Sequence, residues 1–370
     1  MRSYIVIVSP SYGGAEKRFF DIFTCLRRSG EDVVLIAPSN LVDQLKADHQ
    51  DRHDVLAALA PVAMGAWSRL EFVRRFRKLL QTLPRGCSFH YPLNCLWPLH
   101  LGRGDKVSMS VTDCTRVPGF FGGTRTSLWT WLAFFFVARI DILSPAIFSA
   151  LRRYRTAKKM SLTPGGTFLV PSPPAAWRRF PTVVFLGRLI SDKGVDDFLD
   201  VLPDVWPLLR ERASQDVSFQ IAGYGSLQEH VATRVAALAR SGVPIVFVGY
   251  AVASELLASA AVLLSMQEST NYPSRVVAEA LIAGCGAIVR DTGDSREFGH
   301  DLPGLVYCHA RLDARELADQ LALLLDRIML EPGFSDVVRN TALAKFSSKH
   351  CIDYFRDVMS LASSSGLRPA

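Results

Sequence analysis

One local unit occurs twice in this chain and limits its folding choices more than any other feature. A short, continuously apolar strand runs into a glycine-containing loop and then into an amphipathic helix. The first copy is Tyr4–Ser9 (YIVIVS), the loop Pro10–Gly14 (PSYGG) and a helix over Ala15–Arg28, with Phe19, Phe20, Ile22, Phe23 and Leu26 at helical spacing. Gly30 ends that helix, and Asp32–Ala37 (DVVLIA) is the next strand. A strand that is apolar throughout must be covered on both faces, as in a parallel sheet flanked by helices. The order strand, loop, helix, strand begins a doubly wound α/β domain.

The second copy is the strand Thr182–Leu186 (TVVFL), a loop with Gly187, Arg188, Asp192, Lys193 and Gly194, and a helix over Val195–Leu202. Further strands are expected at Val217–Ala222, Pro244–Val248, Ala261–Ser265 and Gly286–Arg290, alternating with helices near Leu227–Arg240, Ser254–Ala258 and Ser274–Ala283. The first half repeats the rhythm more faintly, with strands at Cys87–His90, Lys106–Val111 and Ile140–Leu143 and a helix from Ala146. Val170–Ala175 (VPSPPA) reads as the linker. A chain of 370 residues suits two domains. The expected division is 1–172, 173–340 and a helical tail over 341–370 that can pack back on the first domain. Two such domains are expected to face each other across a cleft at the carboxyl ends of their strands.

With 49% apolar and 21% charged residues the chain is globular rather than disordered. Its net charge of +7 is clustered, at Arg74, Arg75, Arg77 and Lys78, at Arg152, Arg153, Arg155, Lys158 and Lys159, and at Arg178 and Arg179. Such clusters suit an anionic membrane surface, phosphorylated substrates or nucleic acid, or are solvated helix faces. No zinc-finger spacing, RNP-type motif or long basic arm supports nucleic acid. The seven cysteines are scattered, with no CxxC pair, which argues against a disulfide framework or structural zinc and for a reducing cytosol. The apolar run at Tyr4–Val8 is too short for a signal peptide. The most apolar stretch, Leu128–Ala138 (LWTWLAFFFVA), falls short of the roughly 20 residues that span a bilayer. It is either a buried helix or, with Trp129 and Trp131, a shallow membrane-facing patch.

Three segments carry chemistry. Gly13-Gly14 lies between a strand and a helix N-terminus, where backbone can approach an anion, although the pattern is not GxGxxG and no acid ends the second strand. In Phe185-Leu-Gly-Arg188-Leu-Ile-Ser-Asp-Lys193-Gly194 a strand end delivers two cations to one loop. Fixed positive charge there stabilises a departing diphosphate. In Ser265-Met-Gln-Glu268-Ser-Thr-Asn271-Tyr272-Pro273-Ser274-Arg275 a proline begins a helix whose free N–H groups can hold phosphate or sugar hydroxyls. Glu279 lies among apolar neighbours in that helix, where ribose hydroxyls or a structural hydrogen bond would satisfy it.

In this order and spacing, Gly13 to Arg18, Gly187-Arg188 to Lys193-Gly194, Gly223-Tyr224-Gly225 and Tyr272-Pro273 to Glu279 resemble family 4 glycosyltransferases, retaining enzymes of GT-B fold. The resemblance is strongest from Pro181 to Glu297 and includes Asp291-Thr-Gly293 and Glu297. It implies an acceptor-side Rossmann-like domain followed by a nucleotide-sugar-binding one. Arg188 and Lys193 would bind the donor diphosphate, Glu279 the ribose, and Gly14 would lie near the transferred sugar or its phosphate. The backbone of Tyr272, Ser274 and Arg275 would cradle sugar and phosphate, and Tyr224 and Tyr250 would flank the base. Two positions depart from the family. A glutamate common eight residues before Glu279 is Asn271 here, as in an Asn-Tyr-Pro lineage, with Glu268 the nearest acid upstream; Asn271 is expected to take that position in the donor site and contact the sugar. A histidine common after an N-domain strand is replaced by Ser110-Val-Thr112-Asp113, where Thr112 or Asp113 would face the sugar.

The expected activity is retaining transfer from a UDP- or GDP-sugar to a hydroxyl acceptor, such as a lipid-linked glycan, in cell-surface polysaccharide or glycolipid synthesis. Arg188, Lys193 and Asp113 are the catalytic candidates. No Asp-x-Asp motif occurs, so neither a metal nor another cofactor is expected. The expected location is the cytoplasm, with peripheral attachment to the inner face of the cytoplasmic membrane. The competing readings are a non-catalytic nucleotide-sugar-binding subunit and another GT-B enzyme such as a sugar-nucleotide epimerase.

Overall fold

A computed structural model describes residues 2–9, 13–64, 66, 68–92, 94–112, 125–152, 155–165, 167–170, 179–347 and 349–360. Asp113, the Pro-Ser-Tyr part of the first glycine loop and the linker beyond Val170 lie outside the described residues. The chain divides into two units, Met1–Val170 with Ser348–Ala370, and Pro171–Ser347.

The first unit is a sheet of seven parallel strands, β1 (Ser3–Val6), β2 (Val33–Pro38), β3 (Leu59–Val62), β4 (Ser88–Tyr91), β5 (Lys106–Val111), β6 (Arg139–Ile142) and β7 (Met160–Leu162). Their order is β3-β2-β1-β4-β5-β6-β7, with Ile5 registered on Leu35 and His90. The intervening helices are α1 (Gly14–Arg28), α2 (Ser39–Asp48), α3 (His53–Leu56), α4 (Arg69–Thr82), α5 (Arg125–Phe136) and α6 (Pro145–Leu151). The apolar continuity of β1 has a direct cause. Tyr4 and Val6 enter a core with Phe72 and Phe76 of α4 and Phe134 of α5. Ile5 and Ile7 enter another with Phe19, Phe20 and Phe23 of α1. β3 and β7 escape sequence reading because they are four and three residues long and β3 carries Pro61, which an edge strand tolerates.

The second unit has six parallel strands, β8 (Thr182–Leu186), β9 (Ser218–Ala222), β10 (Ile245–Gly249), β11 (Val262–Ser265), β12 (Gly286–Arg290) and β13 (Leu305–Cys308), in the order β10-β9-β8-β11-β12-β13. Its helices are α7 (Val195–Arg212), α8 (Gln228–Arg240), α9 (Ala253–Ser259), α10 (Arg275–Ile282), α11 (Ala314–Leu330) and α12 (Phe334–Phe346). α7 runs ten residues past the expected stop at Leu202, through Pro203 and Pro207. Both prolines face solvent while Val205 and Leu209 are buried, so packing, chiefly against α11, overrides the two lost backbone hydrogen bonds.

The last helix, α13 (Lys349–Val358), belongs to the first unit. Ile352, Phe355 and Val358 join the core of α1, and Arg356 donates to Glu31 at 2.9 Å. A buried polar chain ties it to the sheet. His90 meets Ser108 and Ser110 at 3.0 Å each, Ser110 donates to Asp141 at 2.6 Å, and the Tyr354 hydroxyl donates to Asp141 at 2.7 Å. Thr163 also donates to Asp141. Desolvation pushes the His90 imidazole down to about 4, against which the Asp141 charge acts only partly.

Candidate functional site

The strand order of the second unit reverses between β8 and β11, which are paired neighbours. In an open α/β sheet such a switch point is where loops diverge and leave room for a ligand. The loop after β8 carries Gly187, the exposed Arg188 and the half-buried Lys193. It is fastened to the loop after β11. The Glu268 N–H donates to the Asp192 carbonyl at 3.1 Å, and the Lys193 ammonium donates to the Gln267 side-chain oxygen. Gly194 closes the contact with φ 69°, and a Cβ there would stand 1.9 Å from the Met266 carbonyl oxygen. Burial lowers the Lys193 pKa, the Asp192 charge opposes that, and the Arg188 charge adds to the lowering. Arg188 and Lys193 thus lie on one loop, near enough for the charge of one to act on the other.

The Gly223-Tyr-Gly225 turn after β9 supports the same loop. Leu189 donates to the Tyr224 carbonyl at 2.8 Å, and a Cβ on Gly223 would stand 1.8 Å from the Gly187 carbonyl oxygen. The rings of Tyr224 and Tyr250 are exposed, with centroids 6.3 Å apart.

Behind these residues the β11 loop is held by Asn271, which is 1% exposed. Its carbonyl oxygen accepts from the Ser265 hydroxyl at 2.7 Å and the Gln267 N–H at 3.4 Å. Its NH₂ donates to the Arg290 carbonyl at 2.8 Å and the Thr292 hydroxyl at 3.4 Å. All four hydrogen-bonding positions of the amide are engaged inside the unit. The expected contact of this side chain with a sugar does not fit its burial; Asn271 positions the loop. The Tyr272 ring likewise lies in the core, edge-on to Phe298 at 5.0 Å. Ser274 is buried in extended backbone just before α10, and Arg275 donates to Glu279 at 2.7 Å. Glu279 is therefore an ion-pair partner on the first turns of α10, with part of its side chain accessible.

The second unit thus gathers Arg188, Lys193, Tyr224, Tyr250, Ser274, Arg275 and Glu279 on the loops and helix start at the carboxyl edge of its sheet. Gly14 belongs to the first unit as the first residue of α1, where the preceding Gly13 N–H donates to the Glu16 carboxylate at 3.0 Å. Gln267 lies inside the Ser265–Arg275 segment but draws no role from the sequence, because it is uncharged; only the pairing of β8 with β11 puts it beside Lys193. Among the described residues no group of three or more His, Cys, Asp or Glu could hold a metal ion.

No family model and no curated protein matches the sequence. The fold, by contrast, has solved counterparts. HepE of Anabaena, solved with UDP and glucose, is similar over 97% of this chain and 100% of its own, at 14% identity and a TM-score of 0.73. The fold is GT-B. A glycosyltransferase from Rickettsia africae is similar over 98% of this chain and 99% of its own, at 13% identity and a TM-score of 0.70. The lipopolysaccharide outer core galactosyltransferase WaaB, in its apo form, matches 97% of this chain and 99% of its own, at 14% identity and a TM-score of 0.60. At these identities the GT-B likeness concerns architecture: two α/β units, each on a parallel sheet.

Proposed function

We propose that this chain is a retaining glycosyltransferase of the family 4 type, moving a sugar from a UDP- or GDP-sugar to a hydroxyl acceptor in cell-surface polysaccharide or glycolipid synthesis. The observation that carries the reading is the cation pair Arg188 and Lys193, on one loop at the β8–β11 switch point of a GT-B fold. HepE, with its bound UDP and glucose, and WaaB, a galactosyltransferase, support it as fold relatives. Arg188 and Lys193 neutralise the diphosphate as the bond between the anomeric carbon and the diphosphate breaks, the acceptor hydroxyl oxygen bonds to the anomeric carbon on the face the diphosphate leaves, and the hydroxyl proton passes to the departing diphosphate. The N–H groups at the start of α10 hold sugar or phosphate oxygens, Glu279 binds ribose, and Tyr224 and Tyr250 flank the base. These cations replace a divalent metal. The first unit takes the acceptor, with Gly14 beside the sugar or its phosphate, and attaches to anionic membrane at the inner face of the cytoplasmic membrane through Trp129, Trp131 and the basic runs at 74–78 and 152–159.

A second reading, a non-catalytic nucleotide-sugar-binding subunit, is favoured by the full engagement of Asn271, where the family often has a glutamate. One assay separates the two. Purified protein with a panel of nucleotide sugars should release nucleoside diphosphate when acceptor extract is added, and should do so in excess chelator. Nucleotide-sugar binding without any turnover would leave the subunit reading. Turnover abolished by chelator and restored by manganese would overturn metal independence. In vesicle flotation, binding should require anionic lipid and fall with salt; equal binding to neutral vesicles would count against charge-driven attachment.

A further inference from the structure

Three segments of the second unit converge on the side chain of Arg290, the last residue of β12, which is 13% exposed. Its guanidinium donates to the Asp197 carboxylate at 2.5 Å, to the Ala310 carbonyl at 2.6 Å and to the Met266 carbonyl at 3.4 Å. Asp197 stands in the first turn of α7, Met266 just past β11 and Ala310 just past β13. The Arg290 carbonyl in turn accepts from the Asn271 amide at 2.8 Å. A guanidinium this far from water needs a counter-charge, and Asp197 supplies it.

The same atoms hold the loop after β8. The Met266 carbonyl that Arg290 reaches is the one that Gly194 approaches too closely for a side chain. The next residue, Gln267, accepts from the Lys193 ammonium, and its carbonyl accepts from the Thr292 hydroxyl at 2.8 Å. The loop with Lys193 is anchored at one end by β8 and runs at the other directly into α7, where Asp197 is tied to β12. We infer that Asp197 and Arg290 are positioning residues: their ion pair pins the start of α7 to the end of β12 and so fixes where Lys193 stands against the β11 loop. That Lys193 meets a diphosphate rests on the glycosyltransferase reading; its placement by this pair does not.

The test is NMR titration of Lys193 in the full chain, grown with lysine labelled at Cε and assigned with Lys193→Arg. Calorimetry with UDP and GDP and nucleoside diphosphate release in acceptor extract run beside it. Burial holds the Lys193 pKa below the ordinary 10.5. Asp197→Asn and Arg290→Gln should each let water reach the ammonium, so its pKa should rise toward that value in both variants. A direct charge effect would move it in opposite senses, because one variant removes a negative charge and the other a positive one. The double variant should show the same rise as either single one, since the two residues act as a unit. Turnover should fall roughly tenfold in each, with a smaller loss of donor affinity. Arg290→Lys, which keeps the charge facing Asp197, should recover most of both signals.

The inference is overturned if Lys193 titrates as in wild type in both folded variants, if it moves in opposite senses, or if Arg290→Lys recovers nothing. Lower thermal stability with an unmoved Lys193 would reduce Asp197 to a favourable charge at a helix start and overturns it too. Nucleotide binding by wild type with an unmoved Lys193 overturns the pair's role and leaves the donor reading standing. A rise in both variants, with no nucleotide binding by wild type, supports the pair and overturns the donor reading.

Discussion

Arg188 and Lys193 sit together but hold different positions, one exposed and one half-buried against Gln267. Negative charge on a departing diphosphate grows toward the transition state, so alanine at either position should lower turnover more than donor affinity. The expected loss is roughly 10²–10³ in kcat, with an almost unchanged folding transition. Steady-state kinetics with donor calorimetry on Arg188→Ala and Lys193→Ala checks this; near-wild-type turnover in both folded variants would remove the diphosphate from the loop. Asn271 calls for the opposite outcome. Asn271→Ala leaves the Ser265 hydroxyl and the Arg290 carbonyl without that partner and should destabilise the second unit by roughly 1–3 kcal/mol. Asn271→Glu should destabilise it as well, because it places a charge in a buried site built for an amide. A thermally unchanged Asn271→Glu with raised turnover would show that the position faces the donor after all.

At the scale of elements, the loop after β8 depends on backbones approaching where a side chain would not fit. Gly194 combines φ 69° with a Cβ position 1.9 Å from the Met266 carbonyl oxygen. Gly194→Ala should therefore separate the β8 and β11 loops, cost roughly 1–3 kcal/mol and weaken donor binding together with stability. Denaturant melts alongside donor calorimetry would show whether the two losses coincide. In the first unit the element-level device is the polar chain across β4, β5, β6 and α13. Its His90 is held neutral by burial, at about 4 against an ordinary 6.5. Between those values the unfolded chain binds the extra proton, so this contribution to stability is present above pH 6.5 and is lost as the pH falls toward 4. The full shift corresponds to about 3 kcal/mol. His90→Gln should flatten the pH dependence of the first unit's stability in that window, and an unchanged slope would assign the acid sensitivity elsewhere.

At the scale of the whole molecule, chain order and unit membership part company. Residues 179–347 build one unit, after which the chain returns to complete the other with α13. Truncation after Ser347 removes Ile352, Phe355 and Val358 from the core shared with α1, along with the Arg356–Glu31 and Tyr354–Asp141 contacts. It should destabilise the first unit by several kcal/mol, since a large buried aromatic alone contributes roughly 3–5 kcal/mol. Amide exchange should rise in α1 and β1 and remain unchanged in β8–β12. Uniform loss of protection throughout both units would contradict their separate cores.

What the sequence alone determined was whatever depends on local pattern. Continuous apolar strands, helical spacing and glycine punctuation identify β1, β5, β8, β9, β11 and β12, because burial on both faces leaves a signature in a few consecutive residues. The cation pair was legible for the same reason: both residues lie on one loop. Tertiary structure alone decided what depends on residues distant in the chain. The strand order that makes the end of β8 a switch point, the Gln267 partner of Lys193 and the hydrogen bonds of Asn271 to Arg290 and Thr292 join segments distant in the chain, and no short window of sequence contains both sides of them. α7 continues through two prolines because its buried face packs well enough to override local propensity. An apolar cavity between α4, α5 and β5 is space left where three separate segments meet, and space has no residue of its own to read.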